Sequence, residues 1–111
     1  MKKERLETSA RLLRIVAHPT RLMILEALGD GTRCVNDMRD ILEVPQPNVS
    51  QHLAVLKESG MVACDKEGVT RCYRLAEPAF TKELLAVLKR VPRKKPAPKG
   101  ERGRKKAGGV S

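Results

Sequence analysis

The segment 46–56 constrains the fold and the chemistry of this chain more than any other part of the sequence. It reads Gln-Pro-Asn-Val-Ser-Gln-His-Leu-Ala-Val-Leu, with a proline close to its start. One apolar stripe recurs at helical spacing and consists of Val49, Leu53 and Leu56. The opposite face carries Asn48 and Gln51, whose amides suit pairing with adenine edges in a DNA major groove. We therefore interpret this segment as a recognition helix.

The segments on either side of this helix predict a helix-turn-helix followed by a β-hairpin. The apolar period of 35–42 predicts a short helix, and a tight connection joins it to the recognition helix, which ends before Gly60. Beyond Gly60, the segments 61–64 and 70–75 are typical of two strands joined by a charged, glycine-containing tip. A hairpin directly after a recognition helix is a wing, so the pattern predicts a winged helix-turn-helix.

Four further segments complete the predicted fold, which is mainly α-helical with the hairpin wing as its small β component. They are a helix over roughly 5–16, a helix from Pro19 to the turn at Gly29, a short extended stretch at 32–34, and a last helix from Pro78 to about Arg90.

The net charge of +10 is distributed unevenly along the 111 residues. Residues 1–90 contain 15 basic and 12 acidic side chains, whereas 91–111 contain 8 basic and 1 acidic. The last segment has almost nothing apolar to bury and is expected to be disordered. We therefore divide the chain into a DNA-binding domain over 1–90 and a basic tail over 91–111.

The sequence also limits where the protein is expected to act. No apolar run approaches the ~20 residues that span a bilayer, and the amino-terminal segment lacks the apolar block of a secretory signal. Three cysteines, an odd number, without an export signal favour reduced thiols. The expected location is therefore the cytoplasm.

Four short motifs together carry a resemblance to a known family. They are His18-Pro19-Thr20-Arg21-Leu22, the stretch 46–53, Gly60-Met61-Val62 and Tyr73-Arg74-Leu75. In this order and spacing they resemble the ArsR/SmtB family of bacterial metal- and stress-responsive repressors, over about residues 10–76. The resemblance implies a winged-helix homodimer that pairs through its first and last helices. It also implies an operator with inverted half-sites, and release from it when an inducer binds.

The chain departs from that family at both of its well-known metal sites. Many members carry Cys-Val-Cys-Asp-Leu-Cys before the recognition helix, but the matching segment 34–39 retains only the first thiol, Cys34. The zinc-responsive members place His and acidic ligands on the last helix, and 78–90 contain neither His nor Asp. We therefore expect no zinc site of the last-helix type.

Eight residues are candidates for contact with DNA bases or phosphates. On the helix and the wing these are Gln46, Asn48, Ser50, Gln51, His52, Lys66, Thr70 and Arg71. His52 lies next to the apolar stripe, so it is either a phosphate ligand or a packed, hydrogen-bonded side chain. His18, before Pro19, is expected to cap a helix or to pack in the core.

The three cysteines, Cys34, Cys64 and Cys72, are candidates for sensing. Residues 33–34 are expected to pair with the second wing strand, which brings Cys34 near Cys72. Cys64 faces Cys72 if the wing loop centres on Gly68, whereas a two-residue loop at 67–68 places it opposite Arg71. Converging thiols would bind arsenite or another thiophilic ion, or would be oxidised as a pair. The alternative is that they are small apolar side chains filling gaps.

Three classes of function remain in competition. The first is an inducible dimeric repressor, and the second is a constitutive or architectural DNA-binding protein in which the basic tail dominates and no inducer exists. The third, a thiol enzyme, ranks last because no Cys–His pair or paired carboxylates have a suitable spacing. We therefore predict that the chain is not an enzyme.

Overall fold

The computed structural model of the chain describes residues 1–43, 45–67 and 70–92. The wing tip at 68–69 and nearly all of the predicted tail therefore lie outside the described residues, and the boundary at residue 90 stays a prediction. No helix in these ranges is long and apolar enough to cross a lipid bilayer.

Within these ranges the chain forms the helices and strands that the sequence predicts. The elements are α1 (Lys3–Val16), α2 (Pro19–Leu28), β1 (Arg33–Cys34), α3 (Val35–Leu42), α4 (Gln46–Glu58), β2 (Val62–Glu67), β3 (Thr70–Leu75) and α5 (Pro78–Lys89). The bounds that differ most from the prediction are the start of α1, at Lys3 rather than near residue 5, and the end of β2, at Glu67 rather than at Cys64.

The three strands form one antiparallel sheet in the order β1–β3–β2. In the hairpin, Glu67 pairs with Thr70 and Val62 pairs with Leu75. Val62, Tyr73 and Leu75 belong to the hydrophobic core, so the face of the sheet that carries them packs on the helices.

The core is built around α4. Among the residues that the structure describes, six apolar side chains are fully buried, with 0% of their surface exposed: Ile24, Leu25, Met38, Val49, Leu53 and Leu56. The last three are the predicted stripe of the recognition helix, and its burial is confirmed. Each such side chain contributes about 1.5–3 kcal/mol of hydrophobic free energy, so the core fixes which face of α4 points to solvent.

Two helix starts in this part of the fold use different capping groups. Nδ1 of His18 accepts the backbone N–H of Thr20 at 3.1 Å, which confirms the expected capping role of His18. Pro45 has no side-chain oxygen to offer, and its carbonyl instead accepts the N–H groups of Asn48 and Val49 at 3.0 and 3.2 Å.

Candidate DNA-binding surface and cysteine pair

The exposed face of α4 carries the amide and hydroxyl side chains that the sequence singled out. Asn48, Ser50 and Gln51 are exposed; Gln51 lies opposite the buried stripe, and Asn48 and Ser50 lie on its two flanks. The side chain of Gln46 lies outside the described part of the structure. Three of the candidate contact residues on α4 are therefore open to solvent.

A cleft of about 550 Å³ separates this helix from the wing. Its lining comes from the start of α3, the middle of α4 and strand β3: Val35, Asn36, Ser50, Ala54, Thr70, Arg71 and Tyr73. The cleft brings Ser50 together with Thr70 and Arg71, which the sequence treated as belonging to separate elements. The cleft is also lined by Asn36, which was not among the predicted contact residues. Its position at the start of α3, the first helix of the helix-turn-helix, could have indicated it.

The wing strands place two cations opposite each other. Lys66 pairs directly with Arg71 across the hairpin, and both side chains are exposed. Like charges at directly opposed positions of an antiparallel pair destabilise a sheet, and an anion between or beside them removes that repulsion. The arrangement favours a phosphate at this edge of the cleft.

His52 does not share the outward direction of its neighbours on α4. Its Nδ1 accepts a hydrogen bond from Nε of Arg21 at 3.0 Å, and its ring lies 4.4 Å from the ring of His18 between centroids. Burial lowers the pKa of His52 below its ordinary value of 6.5, and the neighbouring His18 and Arg21 lower it further. The sequence left two alternatives for His52, and the structure supports the packed, hydrogen-bonded side chain.

Cys34 and Cys72 are directly paired residues of β1 and β3, as expected, and a disulfide joins them. Their Cα atoms lie 3.9 Å apart. Cys72 is 4% exposed, whereas Cys34 is only half-buried. The disulfide therefore links the residue that precedes α3 to the second strand of the wing.

The predicted position of Cys64 is wrong in both of its versions. Cys64 pairs with Tyr73, while Cys72 pairs with Asp65. The reason is that β2 runs on to Glu67, which moves the turn one position beyond the two-residue loop considered at 67–68. Because neighbouring residues of a strand point to opposite faces, Cys64 lies on the other face of the sheet from the Cys34–Cys72 pair.

The convergence of three thiols on one thiophilic ion is therefore not supported by the register. Cys64 is a free thiol, and it interacts with the side chain of Tyr73. Burial raises the pKa of Tyr73, the Cys64 thiol raises it further, and Arg71 opposes the shift. Within 1–43, 45–67 and 70–92, no three His, Cys, Asp or Glu side chains are grouped so as to hold a metal ion.

These features define a winged helix-turn-helix protein in which the recognition helix and the second strand of the wing border one cleft. The description "Bacterial regulatory protein, arsR family" belongs to the family profile that matches residues 18–63. The HTH-type transcriptional repressor SmtB of Mycobacterium tuberculosis is 44% identical over 75 residues, covering 68% of this chain and 56% of that protein.

Solved structures of regulators share the fold. HlyU from Vibrio cholerae matches with a TM-score of 0.71 and 31% identity, over 78% of this chain and 97% of that one. The homodimeric winged helix-turn-helix domain Mb0332 from Mycobacterium bovis matches with a TM-score of 0.69 and 26% identity, over 80% and 87% of the two chains.

The chain belongs to the ArsR family of bacterial regulatory proteins. These comparisons confirm the family and the winged-helix fold that the sequence predicts. The relatives are transcriptional regulators and not enzymes. The chain spans little more than half the length of SmtB, with 56% of that protein covered.

Proposed function

We propose that this protein is a dimeric transcriptional repressor that reads its operator with α4 and is released when Cys34 and Cys72 are oxidised. The observation that carries the proposal is the cleft in which Ser50 of α4 lies with Thr70 and Arg71 of the wing, on a helix that also exposes the amides of Asn48 and Gln51. Asn48 and Gln51 are assigned to base edges, and Ser50 and Thr70 to bases or the nearby backbone. Lys66 and Arg71 are assigned to phosphates, which position the protein without reading the sequence.

The dimer would form through α1 and α5. Both helices keep large apolar side chains exposed, with Leu6 and Leu13 of α1 at 50% and 55% and Phe80 and Val87 of α5 at 45% and 51%. Exposed apolar patches of this kind mark contact surfaces, and the matched domain Mb0332 is homodimeric. Two copies related by a two-fold axis would place two α4 helices on inverted half-sites.

Release would follow from oxidation of the cysteine pair. A hydroperoxide oxidises the more accessible thiolate, that of Cys34, to a sulfenic acid, and the peroxide oxygen that is not transferred leaves as water or an alcohol. The Cys72 thiol then attacks that sulfur, and the disulfide forms with loss of a second water. The pair loses two electrons and two protons in total, and the peroxide O–O bond is reduced.

This reaction would act on DNA binding through the elements that the two cysteines join. The disulfide ties the residue before α3 to the strand that carries Thr70 and Arg71. In the reduced protein the wing can adjust its distance from α4 to fit the duplex backbone. The cross-linked wing holds one distance, so the two redox states differ in their contacts with DNA, which is what coupling between the sites requires.

The test begins with the reduced full chain and an operator obtained by selection from random duplexes. Gln51→Ala or Asn48→Ala should reduce the ratio of operator affinity to random-duplex affinity by about tenfold, within the 1–3 kcal/mol that one bidentate base contact supplies. Glu58→Ala is the matched control, because Glu58 is exposed on the same helix but lies in its last turn. Fluorescence anisotropy at fixed salt measures both affinities.

The competing reading is a constitutive DNA-binding protein dominated by the basic segment 91–111, and the same assay separates the two. Truncation after residue 90 should weaken binding to all duplexes alike and flatten its salt dependence, consistent with a DNA-binding domain over 1–90. If truncation abolishes discrimination while the α4 variants change nothing, the constitutive function is correct.

The redox part is tested with the same operator. Hydrogen peroxide should release the wild type and the Cys64→Ala variant from the operator, whereas the Cys34→Ala variant should stay bound to it. Release of Cys34→Ala at the same peroxide dose would show that the pair is not the sensor.

A further inference from the structure

A network that the DNA-contact assignments do not use joins three helices at one guanidinium group. Arg21, in the first turn of α2, donates from Nε to Nδ1 of His52 on α4 at 3.0 Å. It also donates from Nη1 to the main-chain carbonyl of Ile15 at 2.8 Å. Ile15 lies in the last turn of α1, where helix carbonyls lack a partner within the helix.

Each part of the network suits an arginine. Its planar fork carries several N–H groups in fixed directions, so it can bond an imidazole nitrogen and a carbonyl oxygen at once. Its positive charge also lies at the carboxyl end of α1, which the helix dipole favours. A lysine keeps the charge but presents a single nitrogen, which is a poor match for two acceptors on different helices.

We propose that Arg21 is a positioning residue for DNA recognition, which sets the orientation of the recognition helix α4 relative to the dimerisation helix α1 through His52. The inference rests on the proposed function, because it assumes that α4 reads DNA and that α1 lies at the dimer interface. Under that arrangement, the spacing of the two α4 helices in a dimer depends on the angle between α1 and α4 within each copy. The hydrogen bonds of Arg21 hold that angle.

The link requires His52 to keep a lone pair on Nδ1. A proton on that nitrogen turns it into a donor, which breaks the bond from Arg21 and places a second positive charge beside the guanidinium. The charged and titratable groups that act on His52 are His18 and Arg21, from the start of α2. From α1 the network receives the Ile15 carbonyl, and α3 and β2 pack on α4 through apolar side chains such as Met38 and Val62.

Two variants separate positioning from simple stabilisation. In Arg21→Lys the charge is retained but the double hydrogen bond is lost. In His52→Asn the side-chain oxygen takes the place of Nδ1 as acceptor and cannot be protonated. Arg33→Lys is the matched control, because Arg33 also bonds a helix carbonyl, that of Ala27 at 3.1 Å, without contact to His52.

The experiment uses the reduced full chain and measures the ratio of operator to random-duplex affinity from about pH 8 to about pH 5.5 at constant ionic strength. The wild-type ratio should fall by about tenfold across this range, equivalent to ~1.4 kcal/mol. Arg21→Lys should already be about tenfold lower at the high-pH end and show little further change. His52→Asn should match the wild type at high pH and stay flat, and Arg33→Lys should follow the wild type throughout.

Three outcomes would overturn the inference. They are an Arg21→Lys ratio equal to that of the wild type, a His52→Asn profile that keeps the wild-type pH dependence, or the same loss in Arg33→Lys. If Arg21→Lys does not fold, the pH profile of His52→Asn alone decides.

A second measurement does not depend on DNA. The imidazole ¹⁵N shifts of His52 should show Nδ1 as an unprotonated acceptor at neutral pH, and Arg21→Lys should alter them. If these shifts behave as expected but neither Asn48→Ala nor Gln51→Ala affects operator preference, the DNA-reading function has failed while the network stands. If Asn48→Ala and Gln51→Ala do act but Arg21→Lys does not, only the positioning role has failed.

Discussion

Breaking the Cys34–Cys72 disulfide should lower the free energy of unfolding by up to about 4 kcal/mol. The two cysteines are separated by 38 positions in the sequence. For a loop of that size, the loss of chain entropy in the unfolded state gives ~4 kcal/mol at 25 °C, and measured effects commonly fall below this limit. We therefore expect about 2–4 kcal/mol, a large share of the 5–15 kcal/mol that holds a typical domain together.

Urea unfolding followed by circular dichroism measures this difference. The comparison is between the oxidised and the reduced wild type at one protein concentration, since dimerisation would make the midpoint depend on concentration. Cys34→Ala should unfold like the reduced wild type under both conditions. Alanine is preferred to serine here, because serine at this helix start would add a cap worth about 1 kcal/mol.

Cys64→Ala is the matched control, since Cys64 lies on the other face of the sheet and is free. The free energies of unfolding of its oxidised and reduced forms should differ by as much as those of the wild type. Equal midpoints for oxidised and reduced wild type would refute the cross-link as a source of stability. A redox difference that vanishes in Cys64→Ala but persists in Cys34→Ala would show that a different pair of thiols is joined.

Three further predictions concern single residues. Glu43 ends α3 with φ at +56°, a conformation that glycine adopts without the cost of a Cβ, so Glu43→Gly should raise the unfolding free energy by about 0.5–1 kcal/mol in urea titrations. Thr81 is fully buried, and its hydroxyl has no hydrogen-bond partner among the described residues. Thr81→Val should therefore raise the melting temperature, by about 4–8 °C for each kcal/mol gained in the free energy of unfolding. A lower melting temperature would show that the hydroxyl is paired. The pKa of His52 is lowered in the fold, so its contribution to stability is complete above about pH 6.5 and is lost as the pH falls through the folded-state value. His52→Asn should reduce that loss in urea titrations at several pH values, and an unchanged loss would contradict the assignment.

The helices could be predicted from the sequence because their periodicity is local. The stripe Val49, Leu53 and Leu56 needs only the repeat of a helix to be recognised, and all three side chains are 0% exposed. The same repeat identified the outward position of Asn48 and Gln51. Helix ends followed from residues with strong local effects, such as the capping His18.

The register of the wing could not be predicted in the same way. A shift of one residue in a hairpin moves every side chain to the other face of the sheet, and the sequence 65–69 accommodates more than one turn. A shift of one residue decides whether Cys64 lies on the same face of the sheet as Cys72 or on the opposite face. The pairing of Cys34 with Cys72 was more robust, because it depends on β1 lying next to β3 and not on the turn.

The contact between Arg21 and His52 lay beyond local reasoning for a different reason. The two residues are 31 positions apart, and nothing in the neighbourhood of either specifies the other. The sequence showed Arg21 only as part of a motif at a helix start, and it left His52 with two alternatives. Only the packing of α2 against α4 brings the guanidinium to the imidazole.

The two proposed controls of DNA binding differ in chemistry and in the elements that they join. The Cys34–Cys72 pair would act through the start of α3 and the wing, and would respond to oxidation. The hydrogen bonds of Arg21 would act through α1 and α2, and would respond to protonation of His52. The two groups share no residue. Under the proposed function, oxidation then alters the distance between wing and helix, whereas acidification alters the angle between helix and dimer interface.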